Sequence, residues 1–166
     1  MQTEQVQEVT KAWFESQEFR AVVNVPLNQQ TISVAADKGE TRWLVLAIGD
    51  AETPEQYLRN FDGAVAQIIG VGETLNMPVH LAIALAYSQT ESGDEPSYRK
   101  ILKKYSNSVV FVDLEVHLLL VRDDGSVEDM IPGKVNHFLR YLNEIIAGQS
   151  PPEDESTNDV VGDVSE

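Results

Sequence analysis

Apolar positions recur at helical spacing between Thr3 and Phe19. Val6, Val9, Trp13 and Phe14 form one stripe there, with Thr3 as a cap before Glu4 and Gln5. The pattern then changes period. Arg20 to Pro26 is β-rich and closes at the proline, Thr31 to Ala36 is a second β-rich run, and Asp37 to Glu40 reads as a hairpin turn with Gly39 at the position that needs positive φ. The third run, Thr41 to Ile48, does not alternate. Its unbroken apolar stretch from Trp43 to Ile48 predicts a central strand buried on both faces. Thr53 followed by Pro54 and Glu55 opens a long amphipathic helix through Tyr57, Leu58, Phe61, Val65, Ile68 and Ile69 to about Val71, where Gly70 to Glu73 is read as its stop. Val79 to Ala86 is another continuous apolar run. Because it follows a helix that follows a buried strand, a βαβ crossover is the economical topology, and the sheet is predicted to be mixed.

Beyond this point a loop is expected over 89–96, a short basic helix from Tyr98 to Tyr105, β-rich runs over 109–114 and 115–122, a turn at Asp123 to Ser126, and a closing helix from Val135 to Ile146. The whole predicts an α/β fold, with a mixed central sheet, a β-hairpin and flanking helices. Residues 1–148 form one domain in this reading. Residues 149–166 form an acidic tail with too little apolar material to offset its ordering entropy, and it is expected to be disordered.

Composition narrows the function. The chain of 166 residues carries a formal charge of −15, of which the six acids of 151–166 supply the part that no base balances locally. A surface so acidic repels phosphate backbones, which argues against direct nucleic-acid binding without a partner. The absence of cysteine excludes a disulfide framework, thiolate metal sites and a cysteine nucleophile. No apolar run reaches the roughly 18 residues of a membrane helix, and Met1 to Gln5 does not have the basic-then-apolar order of a leader, so a cytoplasmic protein without membrane contact is expected. His80, His117 and His137 form no i, i+4 pair and are given no role. Lys100, Lys103, Lys104 and Arg99 read as a solvated helix face.

Three stretches carry a resemblance. Ile32 to Asp50, Thr53 to Ile68 and Leu81 to Leu85, within roughly residues 4–128, resemble the restriction-endonuclease-like superfamily, whose signature is Pro-Asp, then Asp or Glu, x, Lys. They are similar in particular to its small cyanobacterial excision-controlling-factor branch, the XisH type. That resemblance implies a helix, a hairpin and a second strand bearing the acid and the lysine. Carried over by position, the first metal-binding aspartate falls on Ser33, the signature acid on Leu46 and the lysine on Ile48, so all three are lost; Glu8 and Gln67 stand where the family often has a glutamate and a glutamine. Ser33, Leu46 and Ile48 offer neither an anionic ligand for Mg²⁺ nor a cation for the scissile phosphate.

The expectation is therefore a pseudoenzyme: a catalytically degenerate nuclease-fold protein with no metal or cofactor. It would act as an accessory or regulatory subunit in a DNA-related process, through a protein partner or as a homodimer. A first alternative keeps nuclease activity on displaced carboxylates, with Glu8, Asp37, Glu40 and Asp50 as candidates beside Gln67 and with Mg²⁺ as cofactor. A second makes the protein an acidic inhibitor or chaperone-like mimic of nucleic acid, acting through its tail.

Overall fold

In a computed structural model the described residues are 1–87, 97–102 and 115–131. The expected strand at 109–114, the closing helix and the acidic tail lie outside them. The elements run α1 (Thr3–Ser16), β1 (Arg20–Leu27), β2 (Gln30–Lys38), β3 (Thr41–Ile48), α2 (Pro54–Thr74), β4 (His80–Ala86), α3 (Tyr98–Leu102), β5 (Val116–Val121) and β6 (Val127–Met130). The strands form one six-stranded sheet in sequence order. β1–β2, β2–β3 and β5–β6 are antiparallel, and β3–β4 and β4–β5 are parallel. The chain is an α/β protein with a mixed sheet and flanking helices, as the hydrophobic pattern predicts.

Each face of the sheet has its own core. Leu44, Leu46, Leu81, Ile83, Leu85, Leu118 and Leu120 pack on one face with Tyr57, Phe61, Ala64, Val65, Ile68 and Val71 of α2. On the other, Val45, Ala47, Ala82, Ala84, Ala86 and Leu119 meet Val6 and Phe14 of α1. β4 alternates large residues toward α2 with alanines toward α1, and the alanines leave room for the N-terminal helix to lie close. Fully buried Phe61 and Ile68 each contribute about 2–3 kcal/mol of apolar burial to the α2 interface.

Local departures from the sequence reading have identifiable causes. α1 stops at Ser16 rather than Phe19, because Glu18 takes φ +67° and turns the chain, while Lys38 Nζ donates to the Gln17 carbonyl at 2.8 Å. Thr3 is inside this helix and Gln2 is its cap, with Gln2 N donating to Gln5 Oε1 at 2.8 Å. β1 continues through Pro26 to Leu27 because it is an edge strand, where a missing donor costs no ladder bond. Asn28 and Gln29, with φ +46° and +69°, close the β1–β2 hairpin without glycine. α2 is capped by Thr53 Oγ1, which accepts from Gln56 N at 3.3 Å. It runs past Gly70 and Gly72 to Thr74, so those glycines are not its stop; a Cβ at Gly72 would lie 3.0 Å from Leu81 Cδ1. The sequence pattern predicts no strand at β6, whose four half-buried residues carry no strand signal of their own.

The end of β3 is tied to the chain's first residues. A Cβ on Gly49 would lie 2.3 Å from Thr3 N, 2.6 Å from Gln2 C and 2.8 Å from Met1 O, all backbone atoms that cannot swing aside. Asp50 N donates to Met1 O at 2.8 Å, and Gly49 N donates to Thr3 Oγ1 at 3.0 Å. Gly49→Ala should therefore destabilise the fold by about 3 kcal/mol or more, at the upper end of overpacking costs, as measured by urea denaturation. A loss under about 0.5 kcal/mol would show that the first residues are not anchored here.

Candidate functional site

The sheet contains one break, and it makes a cleft. Pairing of β2 with β3 ends at Val34–Val45, while β3 keeps its register with β4 through Ile48–Leu85. Along β2, Val34 packs on the α1 side but Ile32, two residues earlier, packs on the α2 side; on β1, Val23 and Val25 split in the same way. Side chains two apart in a regular strand share a face, so both strands of the first hairpin turn over at Asn24 and Ser33. Asn24 has φ +54°, and neither residue appears in the otherwise continuous β1–β2 register.

A buried glutamine from α1 pins this turnover. Gln7 Nε2 donates to the Asn24 side-chain oxygen at 2.8 Å and to the Ser33 carbonyl at 2.6 Å. With β2 gone, alternate amides of β3 need other acceptors. Ala47 N donates to Ser33 Oγ at 2.8 Å, and Gly49 N takes the Thr3 hydroxyl. Two side-chain hydroxyls thus stand in for the missing strand.

The opening is a cleft of about 400 Å³. Leu46, Ala47 and Ile48 line it from β3, Thr31 and Ser33 from β2, Thr3 from α1, and Arg59, Asn60, Gly63, Ala64 and Gln67 from α2. Gln67 Nε2 donates to the Thr31 carbonyl at 3.1 Å and closes one side. At the other end Tyr98 OH donates to the Gly49 carbonyl, and Tyr98 meets Tyr57 edge-to-face at 4.7 Å. Burial pushes the Tyr98 phenol up to about 12, partly opposed by a hydrogen bond from the Asn60 side chain.

Ser33, Leu46, Ile48 and Gln67 therefore share one cleft. The candidate acids do not join them. Glu8 is exposed on α1, and Glu40 is exposed in the β2–β3 turn. Asp37 accepts from Arg42 Nε at 2.6 Å at that same end of the hairpin. Asp50 is taken up by the Met1 amino group and by Tyr57 OH, which donates to its Oδ1 at 3.1 Å. Among the described residues no group of three histidines or carboxylates could hold a metal ion.

No protein-family model, curated protein or solved structure matches this chain. The site rests on its own geometry. Among the described residues no helix is long and apolar enough to cross a membrane. Away from the cleft, His117 Nδ1 lies 2.8 Å from Asp129 Oδ1, its ring meets Trp43 edge-on at 4.5 Å, and His80 stacks on the same indole at 4.7 Å. Both histidines are thereby engaged in packing. Sequence reading did not single out Arg59, Asn60 or Gly63, which lie at successive positions on one face of α2; their i, i+1, i+4 spacing was the available signal.

Two measurements test this geometry. Ser33→Ala removes the acceptor from a buried amide and should cost about 1–3 kcal/mol in urea denaturation, whereas an unchanged midpoint would mean that Ala47 N finds another partner. Tyr98 has a raised folded pKa, so above pH 10 the unfolded chain loses its proton first. Stability should fall between pH 10 and about 12, and fall less steeply in Tyr98→Phe.

Proposed function

We propose that this chain is a restriction-endonuclease-like domain that has lost catalysis and acts by binding, as an accessory or regulatory subunit whose protein partner supplies nucleic-acid contact. The order of elements supports the reading: a helix, three antiparallel strands, then a helical crossover to a strand parallel with the third. The observation that carries it is the cleft. The positions onto which the resemblance maps the metal-binding aspartate, the acid, the lysine and the helix glutamine converge there, and among the described residues no lining side chain is a carboxylate. Hydrolysis of a phosphodiester through a divalent ion needs at least two anionic ligands beside a water-activating group. Ser33, Leu46 and Ile48 supply none of these.

The displaced-carboxylate alternative gains nothing from the geometry, since Asp37 and Asp50 lie at opposite ends of the hairpin strand and each already has a cationic partner. Plasmid DNA, single-stranded DNA and RNA should all survive incubation with the protein in Mg²⁺ or Mn²⁺. Its thermal midpoint should agree within about 1 °C between EDTA and Mg²⁺, because an ion that does not bind the native state cannot shift it. Cleavage that disappears in Asp37→Ala or Asp50→Ala would overturn the proposal.

A further inference from the structure

We propose that the cleft binds a small organic oxyanion, with the charged head on Arg59 and an apolar body against the β3 floor. This rests on reading the cleft as catalytically silent and names the class of ligand it takes.

The cleft presents donors of the kind that an oxyanion accepts. Ser33 Oγ and Thr3 Oγ1 each accept a backbone amide, from Ala47 and Gly49. A hydroxyl that accepts still has its own hydrogen to give, and neither has an acceptor for it among the described residues. Arg59 adds a guanidinium that makes no ion pair among the described residues, in a chain where acids outnumber bases 27 to 12. Its fork of N–H donors matches a carboxylate or a phosphate face. Among the described residues no carboxylate lines the cleft to compete for these donors. The cationic Arg59, with no carboxylate among the described lining residues, gives the cleft net attraction for an anion, and Leu46 and Ile48 on β3 with Ala64 on α2 suit an apolar body behind it.

Gly63 is an independent pointer. It sits inside α2 without positive φ, and a Cβ built on it meets nothing within 4 Å. Neither a turn nor close packing requires glycine there, and the helix loses about 1 kcal/mol relative to alanine by having it. What glycine does provide is clearance on the cleft wall, one turn from Arg59. A volume of about 400 Å³ falls in the range of small-ligand pockets.

The shared chemistry is an oxyanion on a small apolar group, and a phosphate monoester and a carboxylic acid both present it. The test titrates phenyl phosphate, benzoate and the uncharged isostere benzamide into the ¹⁵N-labelled full chain in EDTA, following the amides of Ala47, Gly49 and Ala64. Saturable shifts are expected with at least one of the two anions, and binding at least about tenfold weaker with benzamide. The stronger anion identifies the head group. Arg59→Gln should weaken binding by about tenfold or more, while Arg42→Gln, at the distant hairpin end, leaves it unchanged. Gly63→Leu should block the cleft without lowering the thermal midpoint, which separates loss of the site from loss of the fold. No saturation below about 10 mM, equal binding of benzamide, or equal effects of the two arginine substitutions overturns the inference. Nuclease activity with Arg59-dependent anion binding intact would sink only the catalytically silent reading. Absent binding with absent cleavage would sink only the anion inference.

Discussion

The amides of Ala47 and Gly49 face the side of β3 that β2 has left, and the architecture around the cleft follows from how they are satisfied. A buried N–H without an acceptor costs on the order of 1–3 kcal/mol, so a strand cannot simply diverge from its neighbour in the middle of a sheet. Here Ser33 and Thr3 place hydroxyls where carbonyls would have been. The turnover of the first hairpin is made affordable by Asn24 in the left-handed region and by Gln7, which bonds both bent strands at once. Removing β2 from this edge without those groups would leave open backbone rather than a cleft.

The same substitution accounts for the crowding at the end of β3. Thr3 reaches Gly49 only because the first residues cross directly over it, with backbone contacts that exclude any Cβ. That approach needs α1 close to the sheet, and the alanines of β4 allow it. α2 is placed from the other side by its own core, and Tyr98 and Tyr57 tie Gly49 and Asp50 to the helices of that face. One short stretch after β3 thus joins α1, α2 and α3, so the cleft walls are held by residues that belong to the cores of both faces.

The elements legible in the sequence were those that burial dictates. β3 could be read from its unbroken apolar run, α2 from its cap and stripe, and the parallel pairing of β4 from the helix between two buried strands. The turnover at Ser33 was not legible. Ile32, Ser33 and Val34 show regular apolar–polar alternation, and periodicity cannot reveal that the two apolar residues face opposite cores. Gln7 and Thr10 broke the expected stripe of α1 for a related reason. They are buried because each has a specific partner, Gln7 in the bent strands and Thr10 Oγ1 donating to Val6 O at 2.7 Å, and hydrophobicity carries no information about such pairs. The grouping of Ser33, Leu46, Ile48 and Gln67 came from resemblance and not from spacing. The hydroxyls that Ser33 and Thr3 offer to Ala47 N and Gly49 N depend on tertiary contacts that no local pattern encodes.

A cleft that holds a divalent cation and a cleft that holds a bare anion have opposite electrostatic requirements. The first needs carboxylates, and those repel an oxyanion until the metal is bound; the second needs donors, which hold no metal. In a chain this acidic, a carboxylate at position 33 could still accept from Ala47 N, yet it would also spend the charge of Arg59 and leave the cleft without net attraction for an anion. Serine satisfies the amide and keeps a hydrogen to donate. Leucine and isoleucine on β3 then serve the fold and the floor together, because burying them adds to the α2-side core without desolvating a charge. Under the proposed reading, Ser33, Leu46 and Ile48 are thus coherent as a change in what the cleft attracts, and not only as a loss of chemistry.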